Sequence, residues 1–139
     1  MKRKPNRNAY GWLAIVPPWT FSVVIFALII WLTLGQPPSP PDDIQLWEHT
    51  DKIVHAVMFG ALFGAMALDW YRRHPMQQPY ISSSVMFTIF PWVLVVSAVI
   101  ELVQPTFGRS NDVMDFLADA AGALLAWMIT PPILRAMNK

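Results

Sequence analysis

Apolar residues run almost unbroken through four stretches of this chain, Trp12 to Leu34, Ile53 to Trp70, Ile81 to Val103 and Val113 to Ile129, while polar residues gather between them. At about 1.5 Å per helical residue, each stretch crosses or nearly crosses a hydrocarbon core of ~30 Å. Inside a bilayer every backbone N–H and C=O must be bonded within the chain, and a run of one segment achieves that as a helix. The pattern predicts an all-α polytopic membrane protein, a four-transmembrane-helix bundle with helices at about 12–34, 53–70, 81–103 and 113–129.

Prolines punctuate these runs. Pro17 and Pro18 interrupt the first, and the uninterrupted helix is expected to begin at Pro18. Gly35 to Pro41 is too Pro-rich for helix and reads as extended or polyproline II, followed by a short interfacial helix or turn over Asp42 to Thr50. Tyr71 to Pro79 is a polar loop, and Ser82 or Ser83 is suited to cap the third helix. Pro91 frees the carbonyl of Phe87 and should bend that helix, while Pro131 and Pro132 should stop the last one. Tyr10, Trp12, Trp70, Tyr71 and Tyr80 fall at helix ends on one side, as an interfacial aromatic belt requires.

Charge then fixes a direction. Of ten basic residues, Lys2, Arg3, Lys4, Arg7, Arg72, Arg73, Arg135 and Lys139 lie on the tails and second loop, which four spans put on one side. By the positive-inside rule that side is the cytoplasm, with both termini. Lys52 and Arg109 fall opposite, with eight of the nine acids: Asp42, Asp43, Glu48, Asp51, Glu101, Asp112, Asp115 and Asp119. Chemistry is therefore expected at the outer end. The 139 residues form one domain, with almost nothing outside the bundle. The chain has no Cys, which excludes thiolate metal sites, disulfides, a Cys nucleophile and lipidation at Cys. The basic start and apolar run imitate a signal peptide. The run is too long, lacks a small-x-small cleavage site and is followed by three more spans, so an uncleaved first helix is expected.

Three polar clusters mark the outer ends of the spans. Asp51 and His55 stand one turn apart at the start of the second, their face continued by Phe59 and Leu62, beside a small-residue stripe of Ala56, Gly60 and Gly64. Glu101 and Gln104 share one face at the end of the third. Asp112, Asp115, Asp119 and Gly122 form one stripe of the fourth, extended by Ala126. An ionised Asp at membrane depth costs about 2.5–3.5 kcal/mol on insertion scales, so Asp119 must face protein or water. Arg109, Lys52, His55 and Gln104 are the donors expected to meet it. Each residue also has an ordinary role. Asp112 and Asp115 suit a helix N-terminus, and Glu101 with Arg109 suits an ion pair between helices. The convergence of so many ionisable groups at one depth favours a pocket.

Asp51-Lys52-x-x-His55-x-x-x-Phe59-x-x-Leu62, followed by Glu101-x-x-Gln104, Arg109, Asp115 and Gly122, resembles the signature of the VanZ-like family of bacterial membrane proteins. The likeness spans about 51–126, within a single domain of residues 1–139. It implies a multi-pass protein of the bacterial cytoplasmic membrane. The family is named for an accessory protein of glycopeptide resistance clusters, associated with reduced susceptibility to teicoplanin. Its members commonly carry Asn where this chain has Asp119, and the Pro-rich loop and kinked first span depart from the pattern.

Two functions follow as expectations. In the first, Lys52, His55, Glu101, Gln104, Arg109, Asp115 and Asp119 bind a lipid or cell-envelope headgroup. The partners are then membrane lipids and a lipid-linked cell-wall precursor or amphiphilic glycopeptide, with no nucleic acid. In the second, Glu101, Asp115 and His55 supply acid-base chemistry to a membrane-embedded enzyme acting on a lipid-linked substrate. Carboxylates and imidazole also suit a divalent cation, but no tight motif such as two His one turn apart is present, so no metal is assigned. Transport ranks third, because Asp69 alone occupies the inner end.

Overall fold

The computed structural model describes residues 15–35, 50–74, 80–108 and 112–137. They form four helices: α1 (Thr20–Leu34), α2 (Thr50–Arg73), α3 (Ser83–Val103) and α4 (Val113–Ala136), with a 3-10 turn at Gln104–Phe107 after α3. No strand occurs among the described residues. α2, α3 with its 3-10 extension, and α4 are each long and apolar enough to cross a membrane, whereas α1 is a shorter apolar helix. Large apolar side chains such as Val23, Trp31, Phe87, Trp92, Leu102, Leu125 and Met128 point outward. Such a surface suits lipid rather than water.

α1 starts at Thr20, two residues later than expected, because Trp19 takes a left-handed backbone at φ 68°. Pro17 to Thr20 instead closes as a turn, with the Thr20 hydroxyl donating to the Pro17 carbonyl at 2.8 Å. The 15 residues of α1 span only about 22 Å. The part of the expected first span before Ile15, the Pro-rich loop after Gly35 and the proposed short helix before Thr50 lie outside the described residues. Ser82 caps α3 by accepting from the Val85 N–H, and Pro91 sits inside the helix.

Pro131 and Pro132 do not end α4, which continues to Ala136. Proline's φ fits a helix, and its missing donors leave carbonyls exposed near a helix end rather than at the membrane centre. The turn beyond is held from outside. Leu134 is buried, and its carbonyl accepts from the Tyr71 hydroxyl at 3.4 Å. Tyr71 is therefore a core residue rather than part of an aromatic belt; Tyr80 remains exposed.

α2 and α4 pack along their lengths through small residues. A methyl added at Gly60 would lie 3.0 Å from the Gly122 carbonyl oxygen, and one at Gly122 would overlap the backbone of Ala56. Gly64 takes no part, since nothing lies within 4 Å of where its Cβ would be. Below this crossing, Trp127 stacks on Phe63 at 6.3 Å and meets the edges of Phe87 and Phe90 at 4.6 and 5.4 Å.

The two ends of the bundle differ. At one, buried Asp69 accepts from Arg72 at 3.2 Å and from both the N–H and hydroxyl of Ser22 at 2.9 and 2.8 Å, clamping α1 to α2. Arg73 and Arg135 lie over Trp19 and Tyr80 at the same end. The other end gathers Asp51 of α2, Glu101 of α3, and Asp112, Asp115 and Asp119 at the start of α4.

Candidate functional site

His55 projects from the second turn of α2 towards Asp119, two turns into α4, because the Ala56–Gly122 approach leaves no room between the helix backbones. Its Nδ1 lies 3.0 Å from Asp119 Oδ1. An ionised Asp only accepts, so against it His55 Nδ1–H donates. The other oxygen, Oδ2, accepts from the Ser97 hydroxyl of α3 at 2.6 Å. All three side chains are buried, so Asp119 sits at depth with both oxygens bonded to protein.

Glu101 stands one turn above Ser97 on α3. Its Oε1 faces His55 Nδ1 at 4.0 Å, while Oε2 accepts a long bond from the Asp112 N–H at 3.4 Å. On the far side of the imidazole, Nε2 lies 4.0 Å from Asp115 Oδ2. Lys52, partly exposed, donates to Asp112 at 2.9 Å and Asp115 at 3.2 Å. Asp112 also caps α4 through the Met114 N–H. That bond, and then Lys52, hold the Asp112 carboxyl below its ordinary value of 3.8.

Lys52, His55, Glu101, Asp115 and Asp119 thus meet at one end, and Gln104 is buried in the turn that continues α3 there. Arg109 lies outside the described residues. The partners differ from expectation in two respects. Asp119 is met by His55 and Ser97 rather than by Lys52 or Gln104, and Lys52 is occupied by two carboxylates. Ser97 escaped the sequence reading because an uncharged hydroxyl is unremarked in an apolar helix. Its spacing of four from Glu101 was the available signal.

Two buried oxygens have no hydrogen-bond partner among the described residues, Glu101 Oε1 and Gln104 Oε1. Leaving a buried acceptor unbonded costs about 1–3 kcal/mol, so each invites a ligand that brings a donor or a positive charge. Charge points the same way. Around Lys52 and His55 the described residues supply Asp51, Glu101, Asp112, Asp115 and Asp119, an acidic excess. Phe59, fully buried one turn below His55, and the Trp127 cluster beneath it close this end off with apolar side chains. That apolar floor is unlike the continuous polar path a transporter needs.

A family model described as VanZ/LLP1 matches residues 4–135, taking in α1 as well as all the polar clusters. No curated protein and no solved structure matches the chain.

Proposed function

The chain belongs to the VanZ/LLP1 family, and on that premise we propose that it binds an envelope headgroup at the acidic end of its bundle, in the outer leaflet of the bacterial cytoplasmic membrane. The carrying observation is the pair of buried acceptors without a hydrogen-bond partner among the described residues, Glu101 Oε1 and Gln104 Oε1, beside a cluster drawn from three helices. Acceptors select donors. The favoured ligand presents hydroxyl or amino groups, as a lipid-linked cell-wall precursor or an amino-bearing lipid does. Occupying that headgroup would change what a teicoplanin-type glycopeptide meets at the surface. Sorting of the charges supports the orientation, because Arg72, Arg73 and Arg135 lie at the opposite end.

The test compares strains carrying wild-type protein, Gln104→Leu or Arg109→Ala at matched abundance. A shift in one lipid-linked species or in teicoplanin susceptibility, lost in both variants, is the expected result. Unchanged profiles with and without the protein would defeat the proposal.

A second reading draws on the His55–Asp119 pair. A buried carboxylate that orients an imidazole through Nδ1 leaves Nε2 as a base, with Asp115 and Glu101 as neighbouring acid or base groups. Conversion of a lipid-linked substrate by purified protein, abolished in His55→Gln, would favour this enzyme reading over binding alone.

A further inference from the structure

We infer that His55, Glu101 and Asp119 form a divalent-cation site at the buried end of the acidic cluster. One ligand atom from each lies within 4.8 Å of the others, and all three side chains are buried. They come from α2, α3 and α4, so the site exists only in the assembled bundle. His55 Nδ1 is 3.0 Å from Asp119 Oδ1 and 4.0 Å from Glu101 Oε1, and a cation there takes the place of the Nδ1 proton, leaving the ring's proton on Nε2. A cation bonded at about 2.0–2.2 Å sets neighbouring donors roughly 3–3.6 Å apart, so a small swing of Glu101 completes the set.

The independent observation is Glu101 Oε1. It is the oxygen turned towards His55, its residue is only 5% exposed, and it accepts no hydrogen bond among the described residues. A cation fills that lone pair. It also offsets the surrounding carboxylates, which Lys52 cannot do alone because it already bridges Asp112 and Asp115. On the far side of the ring, Asp115 at 4.0 Å from Nε2 is placed to orient the imidazole, the role carboxylates take behind ligating histidines. Ser97 does the same for Asp119 through Oδ2. One imidazole and two carboxylates suit Mn²⁺ or Zn²⁺ better than Ca²⁺, which prefers oxygen ligands throughout.

A second grouping, Asp51 with His55 and Asp115, uses the other side of the ring, but Asp51 is exposed, and the buried unpartnered carboxylate oxygen among the described residues belongs to the deeper set. The deeper set is therefore the site. The inference deepens the binding proposal, since a cation would draw the phosphate or hydroxyls of a headgroup into an otherwise acidic cluster. It rests on that proposal only in taking the same end as the site.

The test uses the full chain in detergent, stripped with chelator and titrated with Mn²⁺ alone. One Mn²⁺ per chain is expected, with pulsed EPR showing coupling to a single imidazole nitrogen that disappears in His55→Asn. Glu101→Gln should weaken binding by at least about tenfold, the loss that removal of even an outer-shell partner produces, while Asp51→Asn should leave it unchanged. The EPR signature is read on wild-type protein, so it decides the matter even if a variant fails to fold. Absence of stoichiometric Mn²⁺, absence of nitrogen coupling, or dependence on Asp51 instead of Glu101 would overturn the site. The first outcome is also what a buried water or a proton on Glu101 predicts. Loss of the cation site with intact lipid and teicoplanin phenotypes would leave the headgroup proposal standing, and the converse result would leave only the cation.

Discussion

Asp119 survives at membrane depth because each of its oxygens has a donor, His55 on one side and Ser97 on the other. Removing one donor should therefore be felt at once. Ser97→Ala is expected to lower stability by about 1.5–3 kcal/mol, the range for a hydrogen bond to a charged group, read as a lower melting temperature in detergent. Asp119→Asn, by contrast, can still accept from Ser97 while carrying no charge, so its melting temperature without metal should match or exceed the wild type. Asp112 supplies a pH test. Its folded carboxyl titrates below the ordinary 3.8 because the Met114 N–H and Lys52 favour the ionised form. The stability it adds is present above that value and fades as pH falls through the lower folded one. Asn still caps a helix, so Asp112→Asn should flatten the acid limb of stability against pH relative to wild type while leaving helix content unchanged. Buried charges were legible in the sequence because an acid in an apolar run stands out. Their partners were not, since the pairing of His55 with Asp119 depends on how α2 and α4 are rotated against each other.

For the helices, that rotation is set where α2 and α4 touch. Gly122→Ala must force a methyl into the backbone of Ala56, and overpacking of this kind costs about 1–3 kcal/mol. Because the same contact holds His55 against Asp119, the variant should lose cation or ligand affinity along with stability, as titration and thermal unfolding of the same sample would reveal. Gly64→Ala meets nothing within 4 Å and should be neutral or slightly stabilising. The small-residue stripe was visible in the sequence, but which of its glycines bears on a neighbour was not. Spacing gives a face, and a crossing point belongs to two helices. The prolines misled for a similar reason. Local preference ends α4 at Pro131, whereas packing of Leu134 and the Tyr71 hydroxyl carries it a turn and a half further.

Across the whole molecule, sign-sorted charge puts Arg72, Arg73 and Arg135 at one end and the acidic cluster at the other, and the positive-inside rule turns the cluster outward. The absence of Cys makes this simple to check. A single thiol at Thr106, exposed beyond α3, should react with a membrane-impermeant reagent in intact cells, and one at Ser83, exposed at the opposite end, should react only after lysis. The reverse pattern would invert the protein and remove the outer leaflet from consideration. Membrane class and the four α-helices of the described residues could be read from hydropathy alone, since lipid allows so few backbone solutions. The Asp69 clamp could not. A lone acid beside Arg72 looks like an interfacial pair until the N–H and hydroxyl of Ser22 are seen to converge on it.

The contacts of Lys52 and His55 with α4 join residues 60 to 64 positions apart. At about 5–20 residues per second, the ribosome needs roughly 3 to 13 s to make the intervening chain. During that interval α2 has no α4 to meet, and its lysine and histidine must find other partners. Ser97 and Glu101 arrive on α3 with no carboxylate to serve and no imidazole secured. Only the last helix relieves them all together. The cluster is therefore complete only once α4 has docked, and a chain halted before Val113 is left with Lys52, His55 and Ser97 lacking these partners. The residues that would engage a ligand are thus satisfied only by the last segment to be made, so a chain that has paired its buried charges is, by the same act, one whose cluster is whole.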